Sequence, residues 1–260
     1  LALAVLLLVG AVALRALRAA HRWRALAGTS TATAEAPLRP AGSGLSPSAA
    51  VHHRLPKRII LARHGESLGN RDESVYEHTP DWRVRLSPLG HRQAVDAGRK
   101  LRKLVGNDPC VFYVSPYFRA RETFANMAMQ LSPDQLREYR VEPRLREQDF
   151  ANLQDRRRMR EAKGERARFG RFFYRFPDGE SGADVYDRVS TFLETLARDI
   201  VSDSLGGDTN AVIVSHGLTV RLFLMRWYHW PVEVFEGTRN PSNGQLLVME
   251  RRGDGAGFEL

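Results

Sequence analysis

Cysteine is nearly absent from this chain of 260 residues, in which Cys110 is the one cysteine. A single thiol cannot form an intrachain disulfide or a multi-cysteine metal cluster, and this usage fits a reducing compartment. Cys110 follows a proline and precedes a predicted strand, which favours a half-buried, inert thiol over a nucleophile. No internal repeat is evident, and this argues against solenoid and propeller architectures.

Long apolar runs are also scarce. The longest, residues 1–14, falls short of the ~20 residues that a membrane-spanning helix needs, unless residues upstream complete it. Arginines follow at positions 15, 18, 22 and 24. Residues 1–27 therefore predict either a signal anchor that leaves the rest of the chain cytoplasmic, facing the cytosol, or a transit peptide for the chloroplast or mitochondrion. A cleaved secretory signal is a third alternative.

Acidic residues are rare at the same end of the chain. Residues 1–58 hold eight of the 39 basic residues but one of the 30 acidic ones, so most of the net charge of +9 belongs to this end. The rest of the chain has nearly equal numbers of basic and acidic residues, and we predict no nucleic-acid partner for it. Residues 28–56, rich in Ala, Ser, Thr, Pro and Gly, predict a flexible linker. Residues 57–260 are long enough for one domain.

Two similar sequence patterns lie far apart within residues 57–260. The apolar run 59–62 ends at Arg63-His64-Gly65, and the apolar run 211–214 ends at Ser215-His216-Gly217. Both have the pattern of a buried strand that presents polar side chains at its carboxyl end, where open α/β sheets place their ligand sites. Each histidine alone is more often structural. As a pair in matched strand, turn and helix contexts, they predict two imidazoles that converge on one pocket.

These residues are part of a wider resemblance. The segments 63–67 (Arg-His-Gly-Glu-Ser), 115–123 (Ser-Pro-Tyr-Phe-Arg-Ala-Arg-Glu-Thr), Glu147 and 215–217 occur in the order of four motifs of the histidine phosphatase superfamily, in its phosphoglycerate mutase-like branch. The similarity runs from about residue 58 to about residue 249. Residues 144–155 and 168–182 most resemble a group of small phosphoglycerate mutase-like phosphatases from plants and fungi.

The resemblance implies roles for individual side chains. His64 would attack phosphorus and form a phosphohistidine, and Glu147 would donate and then accept the proton. Phosphoryl transfer depends mainly on positioning and charge neutralisation, and the side chains and backbone that would bind the phosphate belong to Arg63, Asn70, Arg119, His216 and Gly217. No metal or cofactor is expected, because the arginines supply the charge. Asn70 has a second interpretation as a turn or cap residue, and Arg121 would point away from Arg119 on a helix.

Three functions are compatible with the sequence. The first, which the resemblance to the plant and fungal phosphatases around Glu147 and residues 169–181 favours, is a metal-independent histidine phosphatase that acts on small phosphorylated molecules. The second is a phosphoglycerate mutase, an isomerase that stays phosphorylated and depends on a bisphosphoglycerate primer. The third is a non-catalytic relative that binds phosphate-bearing partners or membranes, the latter also through the N-terminal segment. The sequence does not indicate an oligomeric state.

The fold class follows from the order of elements. Strands alternate with helices, which predicts a three-layer α/β/α architecture with a mostly parallel central sheet. Ser87 and Pro88 predict the start of a helix that reaches residue 105. Residues 139–145 predict a third strand, residues 183–201 a long helix, and residues 246–250 a final strand at a sheet edge.

The stretch 168–176 combines arginine with aromatic residues. One interpretation is a lid over the pocket that selects the substrate, as the corresponding insertion does in the family. The other is a patch for an anionic membrane surface, since arginine interleaved with aromatics suits such an interface.

Overall fold

The structure is a computed structural model that describes residues 55–151, 155–202, 204–253 and 257–260. The expected N-terminal segment 1–27 lies outside these ranges, and so does the expected linker 28–56 except for its last two positions. No helix in the described ranges combines the length and hydropathy that crossing a membrane requires.

The elements follow one another as β1 (Arg58–Arg63), α1 (Leu68–Arg71), α2 (Pro88–Val105), β2 (Cys110–Val114), α3 (Phe118–Ala128), β3 (Leu136–Val141), α4 (Arg156–Phe169), α5 (Gly182–Val201), β4 (Asn210–Ser215), α6 (Gly217–Tyr228), α7 (Val232–Gly237), β5 (Leu246–Arg251) and β6 (Phe258–Glu259). Single turns of 3-10 helix occur among the described residues as well, including Glu73–Glu77, Asp81–Arg83 and Pro143–Leu145.

The six strands of the described residues form one sheet in the order β3-β2-β4-β1-β5-β6. The first four are parallel to one another, β5 is antiparallel to β1, and β6 is antiparallel to β5. Alternate residues of the central strands face opposite sides of the sheet. Ile59 and Leu61 pack with α5 and α6, whereas Ile60 and Ala62 pack with α2 and α3. The three-layer, mostly parallel fold class is therefore confirmed.

Two strand predictions need correction. The third strand is β3, which begins at Leu136 and ends at Val141, whereas the sequence predicted residues 139–145. Pro143 starts a 3-10 turn instead, because proline cannot donate to the strand ladder. The prediction that the last strand lies at a sheet edge is wrong, since β5 lies between β1 and β6.

Helix α2 begins against the backbone that follows β1. Ser87 is its N-cap and accepts a hydrogen bond from the amide of Gly90, and Pro88 is its first residue, as predicted. A Cβ atom added at Gly90 would overlap the carbonyl oxygen of Glu66, and one added at Gly65 would overlap the carbonyl oxygen of Gly90. Two glycines thus allow the helix to approach the end of β1 closely.

We predict opposite effects for alanine at Gly90 and at Gly164. Gly90→Ala lowers the free energy of unfolding by about 1–3 kcal/mol, because the added methyl group forces two backbones apart. Gly164 lies within α4, and a Cβ there meets no atom within 4 Å. Gly164→Ala therefore raises the free energy of unfolding by up to about 1 kcal/mol. Urea unfolding measures both values, and a stabilising Gly90→Ala would contradict the close approach.

Candidate active site

The carboxyl ends of β1 and β4 place two histidines side by side. Arg63 is in register with Ser215, and the amide of His64 donates to the carbonyl of Ser215 at 3.0 Å. His64 and His216 follow these strand ends, and their ring centroids are 5.1 Å apart. Both rings are buried, with 3% and 0% of their surface exposed. The convergence that the paired strand ends predicted is thus present.

The hydrogen bond at His64 fixes the tautomer of its ring. Nδ1 lies 2.6 Å from the carbonyl oxygen of Gly65, which can only accept, so Nδ1 carries the proton. Burial lowers the pKa of His64 well below its usual value, and Arg119 and Arg63 lower it further against the opposing effect of that carbonyl. The imidazole is therefore neutral, with an unprotonated Nε2.

Two arginines flank His64. Arg63 donates from Nη1 to the carbonyl of Pro241 at 2.6 Å, and burial together with Arg119 lowers its pKa although Glu147 opposes this. Arg119, 3% exposed, donates from Nη1 to the carboxylate of Asp81 at 2.7 Å and to the carbonyl of Asp81 at 2.8 Å. Burial lowers the pKa of Arg119, but Asp81 and other nearby groups raise it by more. Both guanidinium groups remain charged.

Glu147 faces these groups from the loop after β3. Its Oε1 accepts a hydrogen bond from the amide of Gln148 at 3.0 Å, and its Oε2 lies 3.8 Å from His216 Nδ1. Burial raises the pKa of Glu147 above the usual value of a carboxyl group, and this effect outweighs the lowering by Arg119. A raised pKa favours the protonated acid, which can donate a proton.

The loop that carries Glu147 is held by one arginine of α5. Arg188 donates to the carbonyl oxygens of Arg144, Arg146 and Glu147 at 2.6–3.0 Å, and it also pairs with the carboxylate of Glu180. Its side chain is 10% exposed. Bidentate guanidinium geometry suits such a clamp. Arg188 is therefore a positioning residue for the carboxyl group of Glu147.

Two buried nitrogens of this cluster have no hydrogen-bond partner among the described residues, namely Arg63 Nε and His216 Nδ1. His216 uses its other nitrogen, Nε2, in a 2.8 Å contact with the hydroxyl of Ser115. Burial, followed by Arg119 and His64, lowers the pKa of His216 well below its usual value. Buried polar groups without partners are costly, and both nitrogens would be satisfied by an oxyanion beside His64.

These groups surround a cavity of about 350 Å³. Five of the predicted site residues line it: Arg63, His64, Asn70, Arg119 and Glu147. His216 does not line it but lies behind the wall, between His64 and Glu147. Gly217, predicted to bind substrate, does not reach the wall either, because the side chain of Asn240 covers it.

The structure confirms the interpretation of Asn70 as a cap residue, whereas its role in binding phosphate stays a prediction. Its Oδ1 accepts from the amide of Ser67, whose side chain caps α1 in return, so Asn70 completes a capping box. The same oxygen accepts from Asn243 Nδ2 at 3.2 Å. Asn243 also donates to the carbonyl oxygen of His64, which ties α1 to the strand end that carries the histidine.

Sequence reasoning missed several groups of this site. Asp81, the partner of Arg119, lies 38 positions away in a polar loop, and Arg188 lies on a helix whose apolar stripe dominates its pattern. No sequence signal marked either one. A carboxylate partner offsets much of the cost of burying an arginine, but the sequence does not indicate which carboxylate pairs with Arg119.

The lid interpretation placed the wrong residues at the cavity. Met159 and Lys163 of α4 line the cavity, whereas the stretch 168–176 does not. Phe172 and Phe176 of that stretch are buried in the body. Phe169 and Phe173 are each 69% exposed, so the membrane interpretation of the stretch stays a prediction.

Among the described residues, no group of three or more His, Cys, Asp or Glu side chains could hold a metal ion. The candidate site contains two histidines. His64 Nδ1 contacts the carbonyl oxygen of Gly65, and His216 Nε2 contacts the hydroxyl of Ser115.

We predict that Asp81→Asn tightens phosphate binding and destabilises the free protein. The amide keeps an acceptor for Arg119 but removes the charge that competes with an anion. Phosphate should bind about fivefold more tightly, an effect of about 1 kcal/mol. The free energy of unfolding should fall by about 1–2 kcal/mol. Calorimetric titration with inorganic phosphate and urea unfolding test the two signs, and weaker phosphate binding would contradict the competition.

A neutral histidine with a free Nε2, two arginines and a carboxyl group with a raised pKa thus meet at one cavity suited to an anion, at the carboxyl edge of a mostly parallel sheet. The chain belongs to the histidine phosphatase superfamily (branch 1), whose family model matches residues 59–260. The family predicted from the four sequence motifs is thereby confirmed.

Relatives of known sequence support this placement. The phosphoglycerate mutase-like protein AT74 of Arabidopsis thaliana is 51% identical over 79% of this chain and 68% of its own length. The broad-range acid phosphatase DET1 of Saccharomyces cerevisiae is 30% identical, over 75% of this chain and 85% of its own length. A plant and a fungal protein are thus among the similar sequences, as predicted.

Solved structures show the same fold. A mycobacterial glucosyl-3-phosphoglycerate phosphatase in complex with VO3 superimposes with a TM-score of 0.61, over 78% of this chain and 95% of that chain. Its sequence is 24% identical, so the likeness supports the architecture and not a shared substrate.

Proposed function

We propose that this protein is a phosphatase that hydrolyses phosphomonoesters through a phosphohistidine intermediate on His64. The observation that carries the proposal is the hydrogen bond from His64 Nδ1 to the carbonyl of Gly65, which leaves Nε2 as an unprotonated nucleophile between two arginines. The name of the yeast relative, a broad-range acid phosphatase, supports the same activity.

In the first step, Arg63 and Arg119 neutralise the phosphoryl oxygens, and the neutral ring of His216 donates a hydrogen bond to one of them from Nδ1. His64 Nε2 forms a bond to phosphorus as the bond from phosphorus to the leaving oxygen breaks. Glu147 gives its proton to that oxygen, so the alcohol leaves neutral and Glu147 becomes a carboxylate. Asp81 competes with the incoming dianion for Arg119, because the dianion offers that guanidinium group a second acceptor.

In the second step, the carboxylate of Glu147 takes a proton from a water molecule. The water oxygen attacks phosphorus, the bond to His64 Nε2 breaks, and inorganic phosphate forms. His64 is again neutral and Glu147 is again protonated, so the enzyme returns to its starting state. The charge of the transferring group is balanced by the two guanidinium groups, and no metal ion enters the proposed mechanism.

The two pKa shifts define the pH dependence of this mechanism. Neutral His64 persists as the pH falls until its depressed pKa is reached, because burial disfavours the imidazolium ion. Protonated Glu147 persists as the pH rises until its raised pKa is reached. The rate should therefore fall below the first pKa and above the second, which gives a bell-shaped profile.

A phosphomutase is the second candidate, and the name of the Arabidopsis relative favours it. A mutase would keep the phosphoryl group on His64 and return it to the product, so it would depend on a bisphosphoglycerate primer. Absence of stimulation by the primer, together with steady release of inorganic phosphate, favours the phosphatase.

The experiment that tests the proposal is release of inorganic phosphate from p-nitrophenyl phosphate and a panel of phosphorylated metabolites in the presence of EDTA. The proposed mechanism predicts turnover that resists chelation. Turnover that EDTA abolishes and a divalent metal restores would overturn the metal-free mechanism, and no release from any compound would overturn the phosphatase.

A further inference from the structure

The wall of the cavity carries more acidic than basic side chains. Among the described lining residues the basic ones are Arg63, Arg119 and Lys163, and the acidic ones are Glu73, Asp81, Glu147 and Asp149. Residues 152–154, which follow the lining residue Ala151, contain no charged residue. With Glu147 protonated, as the proposed mechanism requires, three carboxylates face three cations in this part of the wall, so it offers a phosphoryl dianion no surplus positive charge.

Two of the three cations are already paired. Arg119 binds the carboxylate of Asp81, with side-chain exposures of 3% and 27%. Lys163 Nζ lies 2.5 Å from Glu73 Oε1, with exposures of 36% and 48%. Within the described part of the wall, Arg63 is the one cation with no carboxylate at salt-bridge distance, and it lies next to His64. Because the phosphoryl group occupies Arg63, a second anionic group on the substrate meets no unpaired cation in this part of the wall.

The pair of Lys163 and Glu73 joins α4 to the turn Glu73–Glu77, and both residues line the cavity. Because Glu73 neutralises Lys163, this lysine offers no free positive charge to a carboxylate of the leaving group. Asp149, in the loop after Glu147, adds a negative charge to the same wall. Like charges placed opposite each other are an established means of rejecting a ligand.

The rest of this wall is uncharged. It contains Tyr76, Tyr117, Phe150 and Met159. Burial raises the pKa of Tyr76 to about 12 and also raises that of Tyr117, so both keep their hydroxyl protons. Two hydroxyl groups and two apolar side chains suit an alcohol that has hydroxyl groups or an apolar face.

We infer that the leaving group of the substrate is an uncharged alcohol, so that the substrate class is the phosphomonoester without a second anionic group, and that Glu73 is a specificity-determining residue. This inference rests on the proposed phosphatase function. It separates the protein from enzymes that act on phosphoglycerates, since these substrates carry a carboxylate beside the phosphoryl group.

Glycerol 3-phosphate and 3-phosphoglycerate form a matched pair of test substrates, because they differ in a hydroxymethyl group against a carboxylate. We expect kcat/KM of the full chain to be at least about tenfold higher for glycerol 3-phosphate. If either compound turns over poorly, its inhibition constant against p-nitrophenyl phosphate gives the same comparison. Equal or better use of 3-phosphoglycerate would overturn the inference while the phosphatase function stands.

Glu73→Gln tests the residue directly. Freed from its partner, Lys163 should accept the carboxylate, and the preference for glycerol 3-phosphate should fall at least about threefold. The double variant Glu73→Gln, Lys163→Gln should lose this gain. Glu165→Gln, on α4 but outside the cavity, is the matched control and should keep the preference of the wild type. A preference unchanged by Glu73→Gln would overturn the role of Glu73.

Failure of the proposed phosphatase function can be distinguished from failure of the inferred selectivity. If no compound is hydrolysed, calorimetric binding of the same two phosphate esters still measures the preference. Tighter binding of glycerol 3-phosphate would then support the selectivity without catalysis, and tighter binding of 3-phosphoglycerate would overturn it.

Discussion

His64→Ala lowers kcat by on the order of 10⁴-fold or more, because the phosphoryl group then has no nucleophile and water must attack the ester directly. The flanking arginines remain, so phosphate should still bind to the variant. His78→Ala is the matched control: His78 is exposed, and its removal should leave the rate unchanged. Phosphate release from p-nitrophenyl phosphate measures both rates.

A folding defect has to be separated from the loss of the nucleophile. His64 is buried against His216, and alanine leaves a space of the size of an imidazole ring. Added imidazole should enter this space, accept the phosphoryl group and restore part of the turnover. A rate within tenfold of the wild type without imidazole would contradict the role of His64.

Glu147→Gln should separate substrates by the basicity of their leaving groups. An alkyl alkoxide needs a proton as it leaves, so kcat/KM for alkyl phosphates should fall by about 10²–10⁴-fold. Because p-nitrophenolate leaves without a proton, formation of the phosphoenzyme from p-nitrophenyl phosphate should change much less. The amide also cannot activate water, so this substrate should give a burst of one p-nitrophenolate per active site, followed by slow turnover.

The pH profile adds a second result to the same variant. The alkaline limb that we assign to the raised pKa of Glu147 should disappear in Glu147→Gln, whereas the acidic limb assigned to His64 should remain. Glu194→Gln serves as the control, since Glu194 is on α5 and does not line the cavity. An equal loss of rate for alkyl and aryl phosphates, with the alkaline limb retained, would contradict the acid and base role.

Much of the fold could be predicted because its signals are local. The runs that became β1 and β4 are apolar over their length, as expected of strands covered on both faces. Ser87 and Pro88 marked the first residue of α2. By contrast, β3 is an edge strand with four of its six residues exposed, so it lacked the apolar run that marks a buried strand.

The meeting of the two histidines could be predicted from the sequence, whereas the partners of the other site residues could not, and the roles of these residues in the reaction stay predictions. The paired strand ends predicted that His64 and His216 meet, because register in a parallel sheet brings equivalent positions together. The resemblance to the family added Arg119 and Glu147. The partners that fix their charge and position, Asp81 and Arg188, come from elements whose packing the sequence pattern does not encode.

The arginine and aromatic stretch 168–176 shows a further limit. Arginine and phenylalanine alternate there in a pattern that suits either a lid or a surface patch. The structure instead buries Phe172 and Phe176 and leaves Phe169 and Phe173 exposed. Composition indicates which residue types are present, whereas burial depends on contacts such as the amide of Phe172 donating to Glu236 at 2.8 Å.

The central claim is that His64 carries the phosphoryl group, and trapping the intermediate tests it most directly. Wild type, Glu147→Gln and His64→Ala are mixed with p-nitrophenyl phosphate and quenched rapidly, and the phosphorylated peptide is identified by mass spectrometry under alkaline conditions that preserve phosphohistidine. The proposed mechanism predicts phosphate on the peptide that contains His64, in larger amount in Glu147→Gln and absent from His64→Ala. Phosphate on another residue, or turnover with no burst and no covalent intermediate in Glu147→Gln, would contradict it.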